Sequence, residues 1–181
     1  AKGDFGRDGV YMPEYYYDKD NGRKVTKAGF VKDNRGLTYY LDEKGNKVLG
    51  LHEINGDLYY FRRGGAYKYT QLGDMWQDSI NYIDGKIYYF GHDGRAIKNR
   101  FYQWGNYWYY FYADGSAATG AVQINGQQLY FDKNHGRQVK GAFAPDGHYY
   151  DENSGELVTN QTRTIKGVTY HFDENGNATK V

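Results

Sequence analysis

GAVQINGQQLYFDKNHGRQVKG, residues 120–141, is the clearest copy of a unit that recurs along the whole chain. A short run, 121–124, is followed by the pair Asn125-Gly126 and by a second run, 128–131. Asn-Gly between two alternating apolar runs is the strongest short-range hairpin signal, because a type I′ turn needs positive φ at both central residues. The polar segment 132–136 adds a second glycine turn. This unit is therefore predicted to be a β-hairpin.

The other copies align on an aromatic triplet in the second strand. From Tyr89 onward the middle residues of successive triplets lie 21, 20, 19 and 22 positions apart. A lone hairpin is marginally stable, so copies must stack on one another. We therefore predict an all-β fold, a β-solenoid of about eight stacked β-hairpin repeats of roughly 20 residues, with no significant helix. The middle residues of the triplets are Tyr16, Tyr40, Tyr60, Tyr89, Tyr110, Tyr130, Tyr149 and His171.

Residues 1–181 are expected to form a single repeat module with one irregular insertion, residues 66–75. The insertion lengthens the spacing between Tyr60 and Tyr89 to 29 residues, against 20 between Tyr40 and Tyr60. It is either an inserted loop or a divergent short hairpin at a change in the direction of the solenoid.

The two faces of each second strand are predicted to differ. Side chains alternate along a strand, so the first and third triplet residues share one face and the middle residue takes the other. Leucine replaces an aromatic residue at Leu41 and Leu129, which indicates simple burial. The middle residue is never Phe or Leu, which fits a repeated shallow pocket between hairpins. The alternative is that these tyrosines only join one repeat to the next.

Composition excludes several classes of partner. The chain has 22 Tyr and 25 Gly, no Cys and a formal net charge of +1. This balanced charge predicts no binding to nucleic acid or to an anionic membrane. No apolar stretch approaches the roughly 18 residues of a membrane span. Because the chain lacks an initiator Met and a signal peptide, we expect it to be a fragment of a longer protein.

No catalytic or metal site is predicted, and no cofactor. Carboxylates that recur just after the triplet suit turn hydrogen bonding, and a group repeated once per unit is architecture rather than catalysis. The five histidines have no ligand spacing. The segment 18–22 fails as a calcium loop, because glycine falls at position five rather than six and position twelve is Gly29.

The stretches NYIDGKIYYFGHDGRAIK, YWYYFYADGSAATG and residues 120–141 resemble the glucan-binding, cell-wall-binding repeats of lactic-acid-bacterial glucansucrases and streptococcal glucan-binding proteins. The resemblance covers nearly the whole chain and is weakest over residues 1–14 and 66–75. It implies a secreted protein of the bacterial cell surface. It also implies a covalently linked catalytic module and α-glucan polysaccharide or oligosaccharide as the partner.

The same resemblance implies the residues of the sugar pockets. Each pocket uses a stacked Tyr with Gln and Lys, and the best-matching copy supplies Tyr130 and Lys140, with Gln123 and Gln128 nearby. One departure is Val122, where the family has Gln. The same position is assigned to His52, Asn81, Phe101 and Arg163 in other copies, so few pockets are expected to be competent. The remaining predicted ligand residues are Tyr40, Tyr60, Tyr89, Trp108 and Tyr110.

Sugar binding also follows from the residue types. A pyranose presents a C–H face to an aromatic ring and a rim of hydroxyls to amide and ammonium donors. Each shallow site binds weakly, and several sites on one polymer raise the apparent affinity by about 10²–10⁴-fold.

Two alternatives remain open, namely choline-binding repeats and the oligosaccharide-binding repeats of clostridial toxins. A choline cage needs aromatic rings around a quaternary ammonium. The Gly-Trp opening typical of that family is replaced here by Gly29-Phe30, Gly50-Leu51, Gly120-Ala121 and Gly141-Ala142. Trp104 and Trp108 lie in one copy, so a cage built around Trp108 is the choline hypothesis.

Overall fold

A computed structural model describes residues 2–7, 14–64 and 73–181. Within these ranges the chain forms β-strands joined by turns and contains no helix. The strands are β1 (Asp4–Arg7), β2 (Glu14–Tyr17), β3 (Gly29–Lys32), β4 (Thr38–Leu41), β5 (Gly50–Ile54), β6 (Asp57–Phe61), β7 (Ser79–Ile83), β8 (Lys86–Phe90), β9 (Arg100–Trp104), β10 (Tyr107–Phe111), β11 (Gly120–Ile124), β12 (Gln127–Phe131), β13 (Ala142–Phe143), β14 (Tyr149–Tyr150), β15 (Gln161–Ile165), β16 (Val168–Phe172) and β17 (Ala178–Lys180).

Consecutive strands pair into eight hairpins over the described ranges, and β17 extends the eighth beside β16. We number these hairpins one to eight in chain order. In the sixth, Gly120 pairs with Phe131 and Ile124 with Gln127, as the opening stretch predicts. The all-β architecture of hairpin repeats is thus confirmed. The solenoid path remains a prediction.

The hairpin turns adopt the backbone that their sequences require. At the tip of the sixth hairpin Asn125 and Gly126 have φ of 51° and 83°, the two positive angles of a type I′ turn. Asp84 and Gly85 repeat this pattern with 49° and 82° at the tip of the fourth hairpin. Short polar residues and glycine tolerate this conformation, so the two-residue loops fix the strand register.

The recurrent aspartates close the turns after the triplets. Oδ1 of Asp151 accepts hydrogen bonds from the backbone N–H groups of Asn153 and Ser154, each at 2.8 Å. Asp18 accepts in the same way from the N–H of Asp20 at 2.9 Å. Donors aimed at a carboxylate favour its charged form, and the pKa of both aspartates is lowered, chiefly by backbone N–H groups. These residues build turns, as predicted.

In five copies of the described chain, a third segment links the hairpin to the preceding one through the backbone. After the glycine turn, one residue, here called the return residue, pairs with the last residue of its own triplet. In the sixth hairpin the return residue is Gln138, whose N–H donates to the carbonyl of Trp108 in the fifth hairpin over 2.8 Å. The return residues are Lys24, Lys47, Met75, Ala96, Ala117, Gln138, Leu157 and Ala178.

The core face is the predicted one. Phe61, Phe90, Phe111, Phe131 and Phe172, all third residues of their triplets, are fully buried. The middle residues Tyr110 and Tyr130 also contribute to packing, because each lies against the next hairpin. One cluster joins Leu129 and Phe131 of the sixth hairpin to Tyr110 of the fifth, and another joins Tyr130 to Tyr150.

Part of the predicted insertion is described. Residues 66–72 lie outside the described residues, whereas Gly73, Asp74 and Met75 are described. Met75 is the return residue of the third hairpin and follows Phe61 by 14 residues, against six or seven in the other copies. Arg62 joins the two ends: its N–H donates to the Asp74 carbonyl at 3.0 Å, and its guanidinium pairs with the Asp74 carboxylate. The repeat pattern therefore resumes at Met75.

The chain divides into two compact units. One contains Ala1–Ile80 and Tyr89–Ala96, and the other contains Asn81–Tyr88 and Ile97–Val181. The first three hairpins lie in the first unit and the last four in the second. Among the described residues there is no helical segment that could span a lipid bilayer.

Candidate functional site

Three aromatic rings meet in one arrangement at three hairpin junctions. An aromatic residue of a first strand lies edge-on to the middle tyrosine of its own hairpin and to the first triplet residue of the next hairpin. At the first junction these residues are Phe5, Tyr16 and Tyr39, with centroid distances from Phe5 of 5.3 and 4.6 Å and interplanar angles of 68° and 69°. We call this set the first trio.

The second trio joins the second and third hairpins. Phe30 lies 4.9 Å from Tyr40 at 72° and 5.2 Å from Tyr59 at 62°. Such edge-to-face pairs place the positive rim of one ring on the negative face of another, which is worth about 0.5–1.5 kcal/mol per pair beyond burial. The Phe30 ring is nevertheless 45% exposed, so part of its surface remains open to a ligand.

The third trio joins the seventh and eighth hairpins and lines an open groove. Phe143 lies 5.2 Å from Tyr149 at 66° and 5.3 Å from Tyr170 at 61°. The groove encloses about 360 Å³, and its lining includes the three rings, the apolar side chain of Val168 and Lys166. Phe143 is 41% exposed. Apolar ring surface beside one ammonium group suits a ligand with both apolar and polar faces.

The first trio, in contrast, holds a cation from the chain itself. Nζ of Lys47 lies 3.7 Å from the Phe5 centroid and 4.9 Å from that of Tyr39, which is a cation–π geometry. The same Nζ pairs with Oε2 of Glu14 at 2.7 Å, and the Lys47 side chain is only 12% exposed. Lys47 is the return residue of its hairpin. The corresponding residue beside the third trio is Ala178, which packs on Phe172 and its neighbours.

Three tyrosines of the predicted sugar site are buried, and one of them joins consecutive hairpins. Tyr130 is 2% exposed and packs on Tyr150 with a centroid distance of 5.7 Å, while Tyr89 and Tyr60 are 5% and 9% exposed. Burial raises the pKa of the Tyr130 hydroxyl, with smaller effects from Asp146 and Asp132. Rings this deeply buried offer almost no face to a sugar. The contact of Tyr130 with Tyr150 fits the alternative that such a tyrosine holds one repeat to the next.

Three predicted aromatic residues are more accessible. Tyr40 and Tyr110 are half-buried, and each lies edge-on to a phenylalanine of its own first strand, Tyr110 to Phe101 at 4.9 Å. Trp108 is exposed and pairs with Gln103 across its hairpin. Tyr40 belongs to the second trio, so the structure connects this predicted residue to one of the aromatic sites.

The predicted polar residues lie on the sixth hairpin and its return segment. Gln123 and Gln128 face each other across β11 and β12, and both are exposed. Because side chains alternate, Gln128 shares its face with Tyr130 two residues away. Lys140 follows the return residue by two positions, and its Nζ donates to the Asn153 carbonyl at 2.9 Å. The register thus places both amides on one surface of this hairpin.

Strand register changes three sequence-based assignments. Phe143, not Ala142, pairs with the middle tyrosine of the seventh triplet, so an aromatic residue opens this copy. In the fifth copy the first triplet residue, Tyr109, pairs with Tyr102. The position equivalent to Val122 is therefore Tyr102 and not Phe101. Trp104 pairs with Tyr107, and alternation places it on the opposite face from Trp108.

The repeat pattern alone does not reveal the trios, because this first-strand position holds Leu51 or Ala121 in other copies and because its spacing differs in the seventh copy. Phe5, Phe30 and Phe143 occupy the same place beside a middle tyrosine. An exposed aromatic residue at this position of a first strand is the signal that finds them. Over the described residues, no group of three His, Asp or Glu side chains is placed to hold a metal ion.

Two sequence families match parts of the chain. The family described as "Choline-binding repeat" matches residues 118–161. The family described as "Putative cell wall binding repeat" matches residues 28–47, 99–117 and 163–178. These matches fall on hairpin two and on hairpins five to eight, in agreement with the strand pattern.

Curated relatives are streptococcal enzymes much longer than this chain. Glucosyltransferase-S of Streptococcus mutans is 37% identical over 90% of this chain, and Glucosyltransferase-I of Streptococcus downei is 38% identical over 87%. The aligned region spans 11% and 10% of the two relatives. The chain therefore corresponds to about a tenth of each protein.

Solved structures agree with the fold. Choline binding protein F of Streptococcus pneumoniae superimposes with a TM-score of 0.64 at 30% identity, covering 87% of this chain and 48% of that one. A structure of the same protein in the presence of a peptidoglycan analogue gives a TM-score of 0.74 at 25% identity, covering 97% and 57%.

Proposed function

The chain belongs to the cell-wall-binding and choline-binding repeats, and we propose that it is a non-catalytic domain that binds α-glucan chains at several points. The observation that carries the proposal is the match to two glucosyltransferases over 90% and 87% of this chain. A domain attached to an enzyme that transfers glucosyl units is well placed to hold a glucose polymer.

The chemistry of the exposed surface supports this ligand. Phe143 and Phe30 present ring faces, and Gln123 and Gln128 present amide groups that both donate and accept hydrogen bonds. A sugar needs this combination, with its C–H face on a ring and its hydroxyls on polar groups. We assign the polar contacts to Gln123, Gln128 and Lys140. The accessible rings Tyr40, Tyr110 and Trp108 serve as additional platforms.

Several weak sites on one chain suit a polymeric ligand. Once one site holds a glucan chain, the next site meets the same chain at high effective concentration, which raises the apparent affinity by about 10²–10⁴-fold. We further propose that the domain is covalently linked to a glucosyltransferase module in a secreted protein of the bacterial surface. It would keep that module close to its polymer.

Affinity electrophoresis tests the proposal. The chain is run through native gels that contain dextran, with starch gels and gels without polysaccharide for comparison. We expect retardation that increases with dextran concentration. Unchanged mobility in dextran at all concentrations would refute α-glucan binding.

Three variants then locate the contacts. We expect Phe143→Ala and the double variant Gln123→Ala/Gln128→Ala each to reduce the retardation, because each removes one of several contacts. Lys140→Ala is compared with Lys180→Ala, an exposed lysine on β17. Equal mobility of the two lysine variants would remove Lys140 from the site.

Choline is the second candidate ligand, and the first trio favours it. There the Lys47 ammonium already occupies a pair of aromatic rings, with Nζ 3.7 Å from the centroid of Phe5. The third trio has the same rings without that lysine and could hold a quaternary ammonium by cation–π attraction. Choline that raises the melting temperature of the wild type, but not of Phe143→Ala, would establish this function.

A further inference from the structure

A small pocket at the tip of the fourth hairpin lies apart from the trios and from the predicted sugar residues. Tyr82 on β7 is 70% exposed, and its side chain extends over the tip turn. A Cβ built on Gly85 would lie 4.0 Å from the Tyr82 hydroxyl. The Tyr82 ring forms one wall of a pocket of about 220 Å³, which Gly85 also lines.

The floor of the pocket is apolar, and a backbone hydrogen bond holds its two residues together. It consists of Ile87 and Ala117, which are 6% and 9% exposed. Ala117 is the return residue of the fifth hairpin, and its N–H donates to the Ile87 carbonyl at 2.8 Å. The side chains on the floor therefore have a defined position without any ligand.

The rim is polar and carries a charged pair. Lys86 lines the pocket, and its Nζ pairs with Oδ2 of Asp114 at 2.9 Å. Oδ1 of Asp114 accepts from the N–H and Oγ of Ser116, at 2.9 and 2.6 Å. The Ser116 hydroxyl, together with Lys86, lowers the pKa of Asp114 to about 2, so the pair is charged at neutral pH. Lys133 and Thr119 line the rim and are exposed.

We propose that this tip pocket binds one glucosyl unit of the polymer, with the sugar ring on Tyr82 and its hydroxyls on Lys86 and Lys133. The inference rests on the proposed α-glucan function and adds a site to it. A volume of about 220 Å³ lies below the roughly 300 Å³ at which drug-sized ligands are held, which limits the occupant to about one ring.

The rim favours a neutral sugar over an anion. Asp114 offsets the charge of Lys86, and its carboxylate would repel a phosphate beside it. A sugar hydroxyl, in contrast, accepts from one member of such a pair and donates to the other. The exposed tyrosine supplies the apolar face that a free phosphate does not use.

The test is an NMR titration of the ¹⁵N-labelled full chain with isomaltotriose, a short α-1,6-linked glucan. We expect saturable shifts of the backbone amides of Gly85, Ser116 and Thr119. Tyr82→Ala should weaken binding at these amides at least about fivefold, as loss of a ring platform predicts. Tyr82→Phe should keep it. Tyr107→Ala, which removes an exposed tyrosine at the tip of the fifth hairpin, is the matched control and should leave these shifts unchanged.

Each failure has a different meaning. Isomaltotriose shifts elsewhere in the chain, with none at these three amides, would overturn the tip pocket and leave α-glucan binding intact. No shifts anywhere would overturn both proposals. If inorganic phosphate shifts the three amides and isomaltotriose does not, the pocket binds an anion, and its assignment to a sugar is wrong.

Discussion

The first and third trios use the same three ring positions, yet one is closed and the other is open. Phe5 meets its two tyrosines at 5.3 and 4.6 Å, and Phe143 meets its two at 5.2 and 5.3 Å. In the first trio the Lys47 ammonium covers the rings. In the third a groove of about 360 Å³ remains. The backbone and the rings are thus shared, and the difference lies in the return residue.

Both junctions are also joined by an ion pair between consecutive hairpins. Glu14 and Lys47 connect the first and second hairpins at 2.7 Å. Asp151 and Arg163 connect the seventh and eighth at 2.6 Å. In the first junction the Lys47 ammonium contacts both the carboxylate and the rings, whereas Arg163 pairs with Asp151 and does not line the groove of the third trio. Under the proposed function, the position of one cation would then determine whether a junction can accept a ligand.

The largest effect is expected from truncating the buried ring of the closed trio. Tyr39 is fully buried, and its hydroxyl donates to Asp33 at 3.1 Å, so Tyr39→Ala should cost about 3–5 kcal/mol in the free energy of unfolding. Tyr170→Ala removes a half-buried ring of the open trio and should cost about 1–2 kcal/mol. Urea unfolding of both variants measures the difference. Equal losses would mean that the two trios are packed alike.

The closing lysine should have a smaller effect. Lys47→Met keeps most of the packing volume but removes the cation–π contact and the pair with Glu14, and we expect a loss of about 1–2 kcal/mol. Lys44→Met, at an exposed lysine of the same turn, is the control and should change stability by less than about 0.5 kcal/mol. If both variants unfold at the same urea concentration, Lys47 does not stabilise the closed trio.

Acid should weaken the ion pair at the open trio. The pKa of Asp151 is lowered by the Ser154 N–H and by Arg163, so its stabilising effect is complete above the ordinary value of 3.8 and is lost as the pH falls through the lower folded value. Asp151→Asn should be about 1 kcal/mol less stable than wild type near pH 6, a difference that shrinks in acid. Unfolding titrations at about pH 6 and pH 2.5 measure this. Glu152→Gln, its exposed neighbour, should show no such convergence.

The smallest change in stability is expected from converting the open trio into a closed one. Ala178→Lys places an ammonium at the return position of the eighth hairpin, as Lys47 does in the second, and should alter stability by less than about 1 kcal/mol. Ligand binding should respond more strongly, with loss of the contribution of Phe143 to dextran retardation. Ala178→Ser is the size-matched control. If Ala178→Lys is retarded by dextran as strongly as the wild type, the lysine does not close the third trio.

Sequence patterns predict the repeat well because its turns are local. Asn125-Gly126 and Asp84-Gly85 determine the backbone of their hairpins without help from distant residues. The alternation of the triplet also identifies Phe131 and its equivalents as core residues. In the same way, the turn role of Asp151 depends on donors two and three residues away.

The rest depends on neighbouring copies, which no single repeat reveals. Tyr130 looks like an exposed platform in its own strand, and it is buried because Tyr150 of the next hairpin covers it. In the seventh copy the residue opposite the middle tyrosine is Phe143, which the pairing of β13 with β14 shows. Counting from Gly141, as in the other copies, predicts Ala142 at this position, one residue earlier. The contact of Lys47 with Phe5 joins residues 42 positions apart in the chain. Periodicity cannot indicate such a contact.

The link between hairpins uses only main-chain atoms at the return position, as in the 2.8 Å bond from Gln138 to Trp108. Any amino acid except proline supplies that N–H group, so this link does not depend on which side chain the return residue carries. Lysine, methionine, alanine, glutamine and leucine all occur at this position. If the proposal for the trios holds, duplication of a copy followed by one substitution at the return residue would be enough to open or close a junction. A lineage of such arrays can therefore diversify its ligands without having to rebuild its scaffold.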